Sequence, residues 1–192
     1  VALTFDMGEK AAGATSQVLD SLKNSGAHAT FLLTGQWAEA NPLLVKRMVA
    51  EGHELGNHSY DHPDFTKIGE AARVSQLSRT EDIAKKIIGL GLKPYFRPPF
   101  GAYNDSVRGT LASQGYHLLY WTLDSADWRP EMEVGDIVER VSTRTKAGDI
   151  IVFHGYAEKT GKAIPLILPR LKANKFCFRI LSEVLAGNAT SF

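Results

Sequence analysis

Apolar residues along the chain follow two periodicities in turn. Short β-rich runs recur at VALTF (residues 1–5), HATFLL (28–33), HELGNH (53–58), PYFRPP (94–99), HLLYWTL (117–123), DIIVFH (149–154) and KFCFRI (175–180), seven candidate strands. Between most of them the spacing changes to i, i+3, i+4, as at Val18, Leu19 and Leu22 and again at Leu43, Leu44, Arg47 and Met48, which predicts helices. Alternating strands and helices build βα units, and runs this continuously apolar suit a parallel sheet buried on both faces.

The polar residues gather at one place in each unit. Asp6 follows the first run, His58 and His62 the third, Arg97 the fourth, Asp124 and Asp127 the fifth, and His154 the sixth. All stand at the C-terminal ends of predicted strands. In βα barrels and open α/β sheets that edge is where sites are built, so separate units can converge on one pocket.

Composition narrows the class. With 192 residues, the chain holds one substantial core and reads as one domain over 1–192. Its 44% hydrophobic and 22% charged content is that of a globular protein. Its 22 basic and 21 acidic residues give a net charge of +1, which supplies no field for gathering nucleic acid or anionic lipid. No apolar run approaches the roughly 18 residues of a spanning helix, and no signal peptide opens the chain. Because the first residues already lie in a strand-like run, the sequence reads as a domain taken from a longer precursor. The single Cys177 excludes an internal disulfide, and its apolar surroundings predict a buried structural thiol.

Three local patterns have chemical meaning. In NHSYDHPD, His58 and His62 stand four apart; on one helical turn two such imidazoles reach a common cation, although an HxxxH pair alone more often describes two surface histidines. In YFRPPFGAYN, two prolines and Gly101 stiffen the chain around Arg97. That guanidinium suits either a structural ion pair or the anchoring of a reactive carboxylate. In WTLDSADWRP, Asp127 suits either a helix N-cap or the partner of a histidine, and Trp128 either core or pocket wall. His154 is the histidine such a carboxylate would tune; alone, it also fits a satisfied core residue.

Taken together these segments resemble the polysaccharide deacetylases, the NodB-homology domain of carbohydrate esterase family four, from Leu3 to about Leu185. TFDMG (4–8) is similar to the family's TFDDG, HSYDH (58–62) to H[ST]xxH, and RPPFG (97–101) to its third motif. DSADW (124–128) and IIVFH (150–154) stand where the fourth and fifth are expected. The resemblance implies a distorted (β/α)7 barrel that removes N- or O-acetyl groups from a glycan such as peptidoglycan, chitin oligomers or acetylxylan. It implies Asp6 as general base and His58 and His62 as ligands of a divalent metal, zinc foremost, with cobalt, nickel or manganese as alternatives. Arg97 becomes the residue that orients the base, Asp127 the one that tunes His154, and His154 the general acid. Trp128 and Val152 line the acetyl pocket, and the backbone N–H of Phe100 faces the oxyanion. Such enzymes modify wall polymers, which implies a secreted or membrane-anchored bacterial protein.

One position departs from the pattern. Where the family has a second Asp as third metal ligand, this chain has Met7. A thioether suits soft ions better than zinc and brings no charge. Three readings follow: a two-histidine site completed by water, substrate or an acid such as Glu9; a glycan-binding pseudoenzyme; and, for Met7 itself, a gap-filler at the barrel mouth. The segments 35–42 and 155–162 are the candidate groove walls, with Trp37, Tyr103, Trp128 and Tyr156 as candidate sugar-stacking rings.

Overall fold

The computed structural model describes residues 1–8 and 10–189. Glu9, the alternative acid ligand, lies outside the described residues. Seven strands run β1 (Ala2–Met7), β2 (Thr30–Leu33), β3 (Glu54–Asn57), β4 (Tyr95–Phe96), β5 (His117–Leu118), β6 (Leu123–Asp124) and β7 (Ile150–His154). Among the described residues eight α-helices intervene or follow: α1 (Thr15–Asn24), α2 (Gly35–Ala40), α3 (Pro42–Ala50), α4 (Glu70–Ile88), α5 (Asp105–Ser113), α6 (Val134–Arg144), α7 (Glu158–Ala173) and α8 (Leu181–Ala189).

The strands form one parallel sheet in the order β5-β4-β3-β2-β1-β7-β6. Its two edge strands are consecutive in the chain. Only residues 119–122 separate them, and n residues span at most about 3.6 Å × n, so the two edges lie close together. Leu119 N–H donates to Phe96 O on one side of that gap (2.7 Å) and Thr122 N–H to Ile150 O on the other (2.9 Å). The sheet therefore curls into a distorted (β/α)7 barrel.

β1 lies at the middle of the sheet and is buried at all six positions. Alternation sends Leu3, Phe5 and Met7 to the helix-covered face, where they join the main core. Phe5 stacks on its register partners Phe31 and Phe153, with ring centroids 5.0 and 5.4 Å away. On the other face Ala2 meets Leu32, Leu119 and, from α8, Leu181 and Val184. The inside of the barrel is thus plugged at its N-terminal end and polar at its C-terminal end, where Asp6 stands.

Several sequence expectations change. KFCFRI is not a strand: its backbone meets that of Val1, whose amino group donates to Cys177 O (2.9 Å) and whose carbonyl accepts from Arg179 N–H (3.0 Å). Phe176 and Phe178 turn toward the core, so Cys177 between them is exposed instead of buried. The count of seven strands survives because HLLYWTL splits into β5 and β6. In α3 the inward stripe is Val45 and Met48, with Leu44 half-buried and Leu43 78% exposed. The segments proposed as groove walls are largely the helices α2 and the start of α7. Trp37 is fully buried in α2 and donates its indole N–H to Ala11 O (3.1 Å), which removes it from the sugar-stacking rings.

Candidate active site

A cavity of about 480 Å³ opens at the C-terminal end of the sheet. Asp6, Gly8, His58, His62, Phe100, Trp121, Asp124, Trp128, Val152, His154 and Tyr156 contribute to its walls. The polar residues from the separate strand ends therefore meet in one place.

Asp6 is 5% exposed and is held by Arg97, itself fully buried, whose Nη1 donates to Asp6 Oδ1 at 2.7 Å. The other arm of the guanidinium, Nη2, donates to Tyr120 O at 3.3 Å. Burial pushes the Asp6 carboxyl up, but the charge and hydrogen bond of Arg97, with the neighbouring His58 and His154 imidazoles, outweigh it and the net shift is downward. Asp6 is thus an anion at neutral pH.

His58 and His62 come together, but not on a helix. They sit in the loop after β3, with Ser59 (φ +72°) and His62 (φ +63°) both in the left-handed region. Asn57 holds this loop, its side-chain oxygen accepting Ser59 N–H (2.9 Å), and Ser59 Oγ accepts His62 N–H (3.1 Å). The two imidazoles meet edge-on with centroids 4.9 Å apart, and the exposed ring of Phe100 stands 4.6 Å from that of His62. His58 Nδ1 lies 2.7 Å from Arg97 O. A carbonyl only accepts, so the proton is on Nδ1 and Nε2 is bare, 3.8 Å from Asp6 Oδ2. Burial lowers both imidazole pKa values, that of His62 to about 4, so both are neutral donors of lone pairs.

On the strand next to that of Asp6, His154 Nδ1 lies 2.8 Å from Asp127 Oδ1. The carboxylate also accepts His154 N–H on Oδ2 (2.7 Å) and the hydroxyl of Thr160. Burial lowers the His154 pKa, and the hydrogen bond and charge of Asp127, with Asp6 and Asp124, more than reverse this and raise it overall. The reading of Asp127 as an N-cap fails, since α6 starts only at Val134. Trp128 is 55% exposed at the cavity rim rather than in the core, and donates Nε1–H to Asp124 Oδ2 (3.3 Å). Val152 and Tyr156 line the cavity, and Tyr103 is half-exposed nearby, its ring centroid 6.0 Å from that of Tyr120.

Met7 is absent from the walls. It is fully buried and packs on Gly155, as a gap-filler does. Among the described residues no group of three or more His, Cys, Asp or Glu is arranged to hold a metal. Two neutral imidazoles, one with its tautomer locked, remain as donors, and these fit a divalent ion held by fewer protein ligands than the usual three.

Two residues escaped sequence reasoning. Thr160 is a polar residue on an apolar helical stripe with Ala163, Ile164, Ile167 and Leu168, and a buried hydroxyl there demands a partner. Trp121 lay in a run read as plain strand; it stacks on Tyr120 at 4.2 Å and forms one wall.

The sequence profile of the polysaccharide deacetylase family matches residues 1–119. The chain is 36% identical to peptidoglycan-N-acetylmuramic acid deacetylase PdaC of Bacillus subtilis over 89% of its own length and 35% of that protein's. A solved structure of PdaC superposes with a TM-score of 0.91 at 32% identity, covering 98% of this chain and 91% of the other. A family 4 carbohydrate esterase from Streptomyces lividans, solved with acetate, gives a TM-score of 0.84 at 37% identity and coverages of 93% and 90%. A family pseudoenzyme from Bacillus anthracis, BA3943, gives 0.88 at 26% identity, with coverages of 96% and 64%. The chain spans 69%, 63% and 35% of the length of three curated relatives that it matches.

Proposed function

The chain belongs to the polysaccharide deacetylase family, and from that premise we propose that it hydrolyses acetyl groups on an amino-sugar polymer of the peptidoglycan type at the bacterial cell surface. The observation that carries this reading is the pair of neighbouring groups, Asp6 and His154, that hold opposite protons at the cavity. Asp6 and His154 are register partners on β1 and β7. One is kept ionised by Arg97, and the other is kept protonated by Asp127. A base and an acid that hold opposite protons at one pH are what acyl hydrolysis requires.

In the mechanism we propose, His58 and His62 would hold a divalent ion, zinc foremost, whose chemistry there is to polarise the acetyl carbonyl and acidify water. Asp6 takes the proton of the attacking water as its oxygen bonds to the acetyl carbon. Arg97 keeps the carboxylate aimed and anionic. The backbone N–H of Phe100 faces the resulting oxyanion. His154 passes its Nε2 proton to the sugar nitrogen as the C–N bond breaks, leaving acetate and a free amine. Val152 and Trp128 enclose the acetyl methyl group.

A second reading is favoured by one observation, the burial of Met7 away from the cavity: a glycan-binding pseudoenzyme. Acetate release from N-acetylated peptidoglycan, measured with added zinc and again with chelator, separates the two. Zinc-dependent release supports hydrolysis. Glycan binding without release under either condition supports the binding module.

A further inference from the structure

We propose that Thr160, on the first turn of α7, is a positioning residue for the proposed acid: its hydroxyl pins Asp127 so that one carboxylate oxygen stays directed at His154 Nδ1. The inference rests on the reading of His154 as acid, and its geometry is independent of any metal.

Asp127 has two oxygens and three donors. Oδ1 faces His154 Nδ1 at 2.8 Å, while Oδ2 accepts the backbone N–H of His154 at 2.7 Å and the hydroxyl of Thr160. The Asp127 side chain is fully enclosed and Thr160 is fully buried, so water does not stand in for a lost donor. An ionised carboxylate only accepts, so Thr160 is the donor and Nδ1 is protonated. With Oδ2 gripped from β7 and from α7, rotation of the carboxylate is opposed from two sides. Nε2 is then the nitrogen left for the cavity that His154 lines. Packing alone does not require the hydroxyl, since Thr160 shares its helix stripe with Ala163, Ile164 and Ile167 and valine has the same shape. The adjacent Lys159 grips the same loop further on, its Nζ donating to Pro130 O (2.8 Å) and Met132 O (2.5 Å).

The test compares Thr160→Val and Thr160→Ser in the whole chain, reading the His154 ring nitrogens by 15N NMR together with kcat and KM for acetate release. In Thr160→Val the Nδ1-protonated tautomer of the neutral ring, read at a pH above the His154 pKa, should lose population, and kcat should fall about tenfold at unchanged KM, as befits a weakened acid. Thr160→Ser should retain both. Wild-type nitrogen shifts and kcat in Thr160→Val would overturn the inference, as would equal losses in Thr160→Ser, which would assign the effect to the methyl group. Thr160→Ala relieves crowding and takes the place of valine if that variant does not fold. Should the wild-type chain release no acetate, the proposed function fails while the tautomer comparison still decides the role of Thr160.

Discussion

Met7 turns its sulfur onto Gly155 so closely that a Cβ on residue 155 would stand 2.5 Å from it. Strand alternation explains the direction: Asp6 faces the cavity, so its neighbour faces the helices. In Met7→Asp a carboxylate would meet this apolar setting beside Phe5 and Gly155 unless the end of β1 re-aims it. The metal-free variant should be less stable by about 3 kcal/mol, from lost packing and a buried charge. Zinc should restore much of this by binding only the folded state. Thermal unfolding with and without zinc checks it, and a zinc-induced rise no larger than in the wild type means that residue 7 does not reach the metal.

Asp6→Asn should abolish acetate release, a loss of at least about a hundredfold. It should also cost stability, because the buried Arg97 guanidinium loses its counter-charge; breaking a buried pair from one side costs about 3–5 kcal/mol. Activity assays and urea unfolding measure the two effects separately. Activity at the wild-type level would sink the assigned mechanism whatever the stability.

The pH profile follows from the two shifted groups. Asp6 is lowered from 3.8 and His154 raised from 6.5, so kcat/KM should be level across the interval between them, falling below it as the base protonates and above it as the acid deprotonates. Asp127→Asn removes the charge that holds the His154 proton, and the alkaline limb should move to lower pH. Stability has its own signs. His154 binds its proton more tightly folded than unfolded, so its contribution is complete below 6.5 and is lost as pH rises through the folded value. That of Asp6 is present above 3.8 and lost as pH falls through its folded value. NMR titration of the His154 ring in wild type and Asp127→Asn checks the direction.

The barrel was legible because most strand ends announce themselves twice, by an apolar run and by the polar residue that closes it, as in IIVFH and the NHSYDH segment. What the sequence concealed was direction. Cys177 and Phe176 share one alternating run, and nothing local says which of them faces out. Trp37 looked like a groove residue until α2 turned it into the core. His58 and His62 converge through a loop with two left-handed residues, a geometry that an i, i+4 spacing does not encode. Thr160 lies in a helix 33 residues from Asp127 in sequence, so only the tertiary fold brings the pair together.

Gly13→Ala tests how the cavity wall is held. Gly13 has φ +49°, and a Cβ there would stand 2.0 Å from Tyr156 O. That carbonyl is backbone and is fixed, since it accepts Ala14 N–H at 3.1 Å. No side-chain rotation relieves the clash, and the left-handed conformation itself is unfavourable to alanine. The substitution should therefore cost about 2 kcal/mol or more and displace Tyr156, whose ring lines the cavity beside Gly8 and His154. Because Asp6, Arg97 and Asp127 are held by other elements, the damage should fall on substrate binding. A higher KM with kcat within about threefold of the wild type is expected. A variant with wild-type KM and wild-type melting temperature would show that the first βα loop does not support this wall.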